Sequence, residues 1–170
     1  MAKWLVKSEP DECGIDDFAS DPQAVIPWDG VRNYQARNFL RQMAEGDEVL
    51  LYHSSCRHIG VAGIVRVVQG PYPDPAQFDP DSPYHDGKSR RDNPRWTAVG
   101  MRHVRKLPRV IPLTELKTLP ALADLPLVKK GSRLSVMPVS EQEWQAILGL
   151  VALPGDTSGA RENLAYRYPS

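Results

Sequence analysis

The stretch Glu48-Val49-Leu50-Leu51-Tyr52-His53-Ser54-Ser55-Cys56-Arg57-His58-Ile59-Gly60-Val61-Ala62-Gly63-Ile64-Val65-Arg66-Val67-Val68-Gln69 decides the fold. It holds two runs rich in Val, Leu and Ile, separated by a short polar segment. Runs of this kind, bounded by turn formers, read as strands. Glu48–Ser54 and Ile59–Gln69 are therefore predicted to be two strands joined by a short loop, with Gly46-Asp47 breaking the chain before them. Gly60 and Gly63 lie inside the second strand, where glycine marks a bulge or a close backbone approach.

Working outward, Lys3 to Ser8 reads as a strand with Trp4 and Val6 on one face and Leu5 and Lys7 on the other, ended by Pro10. The stretch from Asp11 to Gly30 is turn-rich, with one short helix near Ile15–Phe18. Asn33 is placed to cap a helix running to Met43, whose Ala36, Phe39, Leu40 and Met43 fall at helical spacing. Residues 70–94 carry Pro71, Pro73, Pro75, Pro80, Pro83 and Pro94 and read as one long loop, of the sort that is often functional. Trp96–Arg105 reads as a further strand, and a short helix starts near Pro112. The final helix opens with the capping box Ser140-Glu141-Gln142-Glu143. Strands and helices intermix without regular βαβ alternation, which points to an α+β fold around a small curved sheet. The domain is expected to span residues 1–150, with a polar tail at 151–170.

Composition bounds the function classes. The chain has 170 residues, with Lys+Arg 21 and Asp+Glu 21, so its formal net charge is zero and it is not a uniformly basic nucleic-acid binder. No apolar run approaches the ~18 residues of a membrane span. Charge interrupts the N-terminus too early for a signal peptide, and Cys13 and Cys56 are too few for a disulfide framework. A cytoplasmic, monomeric domain is expected. The neutral total nevertheless hides an acidic first segment, Ser8 to Asp29, and a basic later one, Lys88 to Arg109. Such asymmetry lets a neutral protein grip a phosphate backbone locally, although each run read alone is an ordinary solvated face.

Several constellations carry chemistry. His53-Ser54-Ser55-Cys56 near His58 offers nucleophiles, but adjacent strand residues point to opposite faces and no activating motif accompanies them. The same residues form a His-x-x-Cys-x-His spacing without the further ligands of structural zinc, so no metal is assigned. No phosphate-binding or dinucleotide glycine motif is present, and no cofactor is expected. The run Trp28-Asp29-Gly30-Val31-Arg32-Asn33-Tyr34-Gln35-Ala36-Arg37-Asn38 puts an indole on a turn before a helix N-terminus. That N-terminus suits an anion, and the indole suits stacking on a flat heterocycle. The competing reading has Trp28 and Tyr34 plugging the core and the arginines solvated. Lys7-Ser8-Glu9-Pro10 reads either as a cleft lining or as a plain strand exit, and Arg133-Leu134-Ser135-Val136-Met137-Pro138 as a structural pairing segment.

These motifs, with Tyr52-His53-Ser54, together resemble the EVE domain family of the PUA-like superfamily, over residues 3–150. The resemblance implies a curved, barrel-like mixed sheet flanked by helices and a pocket for a modified nucleobase, as in the related YTH domains. Lys7-Ser8-Glu9 and Trp28-Asp29 look like the YTH pocket elements, with Glu9 in place of Asn and Asp29 in place of Ser. Both changes make the pocket more acidic, which suits an exocyclic amine and so a modified cytosine or methylated adenine. The resemblance thus implies a non-catalytic reader of a modified base in DNA or RNA. Its base pocket would comprise Trp28, Lys7, Ser8, Glu9, Asp29, Asn33, Tyr34 and Ser54. Arg32, Arg37, Arg90, Arg91, Arg95 and Arg133 would hold the nucleic-acid backbone, and Trp96, Tyr34 and Trp4 are candidates for further cage aromatics. The alternatives are a small-molecule-binding domain, or a metal-dependent hydrolase or nuclease built on Glu9, Asp11, Glu12 and Asp29.

Overall fold

The computed structural model describes residues 1–151; the expected tail therefore lies, but for its first residue, outside the described residues. Six strands form one mixed sheet: β1 (Lys3–Ser8), β2 (Ile26–Trp28), β3 (Glu48–His53), β4 (Gly60–Pro73), β5 (Thr97–Pro112) and β6 (Val136–Val139). Their order is β2-β5-β4-β3-β1-β6. β1 runs parallel to β3 and every other neighbour is antiparallel. The ladder ends at β2 and β6, so the α+β expectation holds with a sheet that is curved but not closed.

Helices cover both faces: α1 (Ile15–Ser20) and α2 (Tyr34–Gln42) on one, and α3 (Leu113–Leu116) and α4 (Glu141–Gly149) on the other. Strand alternation produces this division. In β1, Trp4 and Val6 enter the cluster under α1 and α2, whereas Leu5 enters the cluster with Leu116, Trp144 and Ile147. Asn33 caps α2 as expected, its Oδ1 accepting from the Ala36 N–H at 2.9 Å. Ser140 and Glu143 close the capping box on α4.

The curvature has a sequence cause. The β4–β5 register shifts at several points, and each bulge bends and twists the pair. Gly63 is needed at one of them, because a Cβ there would lie 2.3 Å from the Ile15 side chain. β4 also runs past the expected end at Gln69, through Pro71 and Pro73. Its pairing with β3 ends at Arg66, so the prolines sit where one edge needs no donor. β5 likewise continues past Arg105, with Pro108 lying between the paired positions Lys106 and Ile111. β2 and β6 were not expected as strands. Each is a short edge strand containing a proline, Pro27 or Pro138, too brief to show alternation.

Asp47 ties the N-terminal strand to the helix α2 exit. This buried carboxylate accepts from the Trp4 indole at 3.0 Å, the Ala44 N–H at 3.0 Å and the Ala2 N–H at 3.1 Å. Unsatisfied buried donors cost on the order of 1–3 kcal/mol each. Asp47→Ala is expected to lower the unfolding free energy by about 3 kcal/mol in urea denaturation, with Asp47→Asn losing less. Wild-type stability in Asp47→Ala would show that this carboxylate is dispensable.

Candidate functional site

A cavity of about 590 Å³ opens where β1, β2 and β3 end and α2 begins. Ser8 and Glu9 reach it from the end of β1, Ser54 from the end of β3, and Trp28 from β2. Asp29 and Asn33 border it on the turn leading into α2, and Arg133 joins from the segment before β6. With Tyr84 from the proline-rich loop, five separate stretches of chain meet at one opening, which includes most of the residues the sequence pointed to.

Trp28 is a core residue that also reaches the opening. It is only 6% exposed and packs in the core with Val6 and Val31, yet it also borders the cavity. Lys7 borders the cavity too, but its ammonium lies 6.0 Å from the centroid of the Tyr52 ring, on the opposite face of the sheet. Burial pulls that ammonium below its usual range. Asn33 caps α2 while bordering the cavity, so its side-chain oxygen is already engaged.

The turn Asp29-Gly30-Val31-Arg32 is held by one buried carboxylate. Asp74 has no exposure and accepts from the Gly30 N–H at 2.9 Å, the Ala76 N–H at 2.8 Å and the Arg32 guanidinium at 2.8 Å. Arg32 also donates to the Tyr84 carbonyl at 2.7 and 3.1 Å, which fastens the proline-rich loop beside the cavity. The guanidinium expected on a phosphate backbone is therefore a structural clamp. Asp29, exposed at the rim and close to Asp74, has its carboxyl held above the usual range, by partial desolvation first and by the Asp74 charge second. Burial also pushes the Cys13 thiol up, to about 11, with acidic neighbours led by Asp17 adding to it.

Tyr34 does not border the cavity. The residue is 52% exposed and its ring stacks on Trp96 at 4.9 Å between centroids, with the Arg37 guanidinium 4.7 Å from its centre. Trp4 is buried on Asp47 and lies within the core, away from the opening. The basic residues are tied up locally. Arg37 donates to the Arg95 carbonyl at 3.0 Å, Arg90 pairs with Asp92 at 2.9 Å, and Arg95 lies 3.9 Å from Asp86. Arg91 sits 4.6 Å over the Phe78 ring. None of these four reaches the cavity, whereas Arg133 is exposed at its rim.

The His53 region has a structural role. His53 Nε2 accepts from the Ile15 N–H at 3.1 Å at the start of α1, and burial lowers its pKa. That nitrogen is consequently unavailable as a ligand or base. Among the described residues, no group of three or more His, Cys, Asp or Glu is placed to hold a metal ion. Sequence reasoning missed Cys13 and Tyr84 as cavity residues, and placed Glu12 only in the acidic cluster of the metal-dependent alternative. Tyr84 lies in the proline-rich loop already marked as functional, but no pattern there singled it out.

Fold and cavity together define an α+β domain with a polar-rimmed pocket at the ends of its central strands. The EVE domain family model matches residues 2–150, and the chain belongs to that family. Human thymocyte nuclear protein 1 is 42% identical over 164 residues, covering 86% of this chain and 72% of the human protein. A solved structure from Pseudomonas syringae is 53% identical, with a TM-score of 0.86 over 89% of this chain and 100% of that one. Human THYN1, solved in complex with DNA containing 5-methylcytosine, is 39% identical with a TM-score of 0.84, covering 90% of this chain and 99% of that one.

Removing one partner of a buried ion pair strands the other charge and costs roughly 3–5 kcal/mol. Asp74→Ala is therefore expected to destabilise the protein by about 3 kcal/mol or more, measured by chemical denaturation. Near-wild-type stability would refute the clamp.

Proposed function

We propose that this protein is a non-catalytic DNA-binding domain that accepts one modified cytosine, extruded from the duplex, into the cavity beside Trp28. The observation that carries this reading is the cavity itself: about 590 Å³, walled by an indole and rimmed by Ser8, Glu9 and Asp29. That volume lies within the roughly 300–1,000 Å³ of ordinary small-ligand sites. A carboxylate is an acceptor only, so Glu9 and Asp29 favour a base that presents an amine, as cytosine does through N4. The relation to human THYN1, solved with 5-methylcytosine DNA, supports the choice of cytosine.

Extrusion costs a few kcal/mol, offset by stacking and by hydrogen bonds to the polar edge of the base. Trp28 forms the apolar wall, and Ser8, Glu9, Asp29 and Ser54 supply the polar groups. Asn33 offers its amide N–H groups while its oxygen caps the helix. Arg133 at the rim, with Arg37 further out, meets flanking phosphates. Zero net charge fits this mode, because one pocketed base and a few phosphates need no uniformly basic surface. The protein acts on this reading as a cytoplasmic monomer.

Fluorescence-anisotropy titration tests it, using duplexes with 5-methylcytosine, 5-hydroxymethylcytosine, N6-methyladenine or no modification, and an RNA set alongside. The modified-cytosine DNA is expected to bind several-fold more tightly than the unmodified duplex. Equal affinity across the panel would overturn the reading. Asp29→Asn replaces one acceptor oxygen by a donor, so the preference for cytosine over thymine at the probed position should fall about tenfold, given ~1–3 kcal/mol per base-edge pairing. An unchanged preference would remove Asp29 from the recognition set.

A further inference from the structure

The pocket has one deep aromatic wall, Trp28, and neither Tyr34 nor Trp96 supplies a second, because they stack on one another away from the opening. We infer that Tyr84, carried by the proline-rich loop, is the second aromatic wall and a specificity-determining residue for the base held there. This rests on the base-reading function proposed above.

Four observations converge on Tyr84. First, its ring is pressed against the Trp28-Asp29-Gly30 turn: a Cβ on Gly30 would come within 2.8 Å of the ring, and Gly30 has φ of +75°. Glycine at this position is required twice over, by the backbone conformation and by the aromatic ring it admits. Second, the phenol donates to the Glu12 Oε1, so the side chain extends from one cavity residue, Gly30, to another, Glu12. Third, the Arg32 guanidinium lies 5.6 Å from the ring centroid and donates twice to the Tyr84 carbonyl, fixing backbone and ring together. Fourth, the same Arg32 is anchored on buried Asp74, which also holds the Gly30 N–H. One carboxylate thereby sets the spacing between the turn that bears Trp28 and the loop that bears Tyr84.

The chemistry of such an arrangement is particular. A flat base entering the cavity meets the indole and the phenol ring, while Glu12 is occupied by the phenol and oriented away from free rotation. The phenol stays protonated, since its pKa is raised to about 12, first by the Glu12 hydrogen bond and then by burial. A methyl group on the base would fall against apolar ring surface, and an unmodified base would leave that surface without contact. Tyr84 therefore acts on the preference for the modified base more than on overall affinity.

The test compares wild type, Tyr84→Leu and Tyr84→Phe in the same anisotropy titration, with 5-methylcytosine and unmodified duplexes. Tyr84→Leu keeps apolar bulk and removes the ring; the ratio of the two affinities is expected to fall about tenfold. Tyr84→Phe keeps the ring and should hold the ratio within about twofold of wild type. A wild-type ratio in Tyr84→Leu would overturn the inference, as would an equal loss in both variants, which would assign the effect to the Glu12 hydrogen bond. Intermolecular NOEs in the wild-type complex make the result independent of variant folding. Contacts between Tyr84 ring protons and the modified base are expected; their absence, with Trp28 contacts present, would also refute it. If wild type itself shows no preference, the base-reading function fails, and the inference falls with it.

Discussion

The carboxylate of Asp74 is the constraint on which the site depends. It is fully buried and has three partners: the Gly30 N–H, the Ala76 N–H and the Arg32 guanidinium. A buried charge is tolerated only when paired and hydrogen-bonded, and this one meets that requirement by drawing two remote segments together. One is the turn between β2 and α2; the other is the loop that leaves β4. Arg32 extends the link to the Tyr84 carbonyl, so a single buried ion pair positions both sides of the cavity.

The sheet supplies the frame for that clamp. Bulges between β4 and β5 turn the long pair, and the parallel β1–β3 pairing brings the ends of β1 and β3 to the same edge of the molecule. Ser8 and Ser54 meet there because Ser8 pairs with His53 and the Ser54 N–H donates to the Ser8 carbonyl at 2.9 Å. The polar rim is in this sense a product of register. A shift by one residue would turn every side chain of β1 to the other face.

Long apolar runs and helix caps were legible in the sequence, because their signals are local. The strands around Val49 and Val65, the Asn33 cap and the Ser140 capping box all form as read. Edge strands β2 and β6 were not legible, since three or four residues with a proline carry no periodicity. The site divides in the same way. Trp28, Asp29, Ser8 and Glu9 were found from motifs, and all border the cavity. Arg32 and Tyr34 were implied by the resemblance; Arg32 borders the cavity but is engaged by Asp74, and Tyr34 stacks on Trp96 away from it. An arginine beside an aromatic looks the same in sequence whether it faces phosphate or a buried aspartate 42 residues away. Tyr84 was invisible because its position is fixed by Gly30, more than fifty residues earlier, and a contact at that distance leaves no local trace.

The division of the cavity among remote segments has a consequence for how the protein is made. Its walls come from the ends of β1 and β3, the turn after β2, the proline-rich loop and the segment before β6. Non-local pairings of this kind are slow to form, because the entropy of closing the intervening loops has to be met before the contacts reward it. Partial products of synthesis therefore hold sheet and helix signals but no site. The pocket comes into being only once the chain has reached Arg133 and β6 has docked beside β1, which couples competence for recognition to completion of the fold.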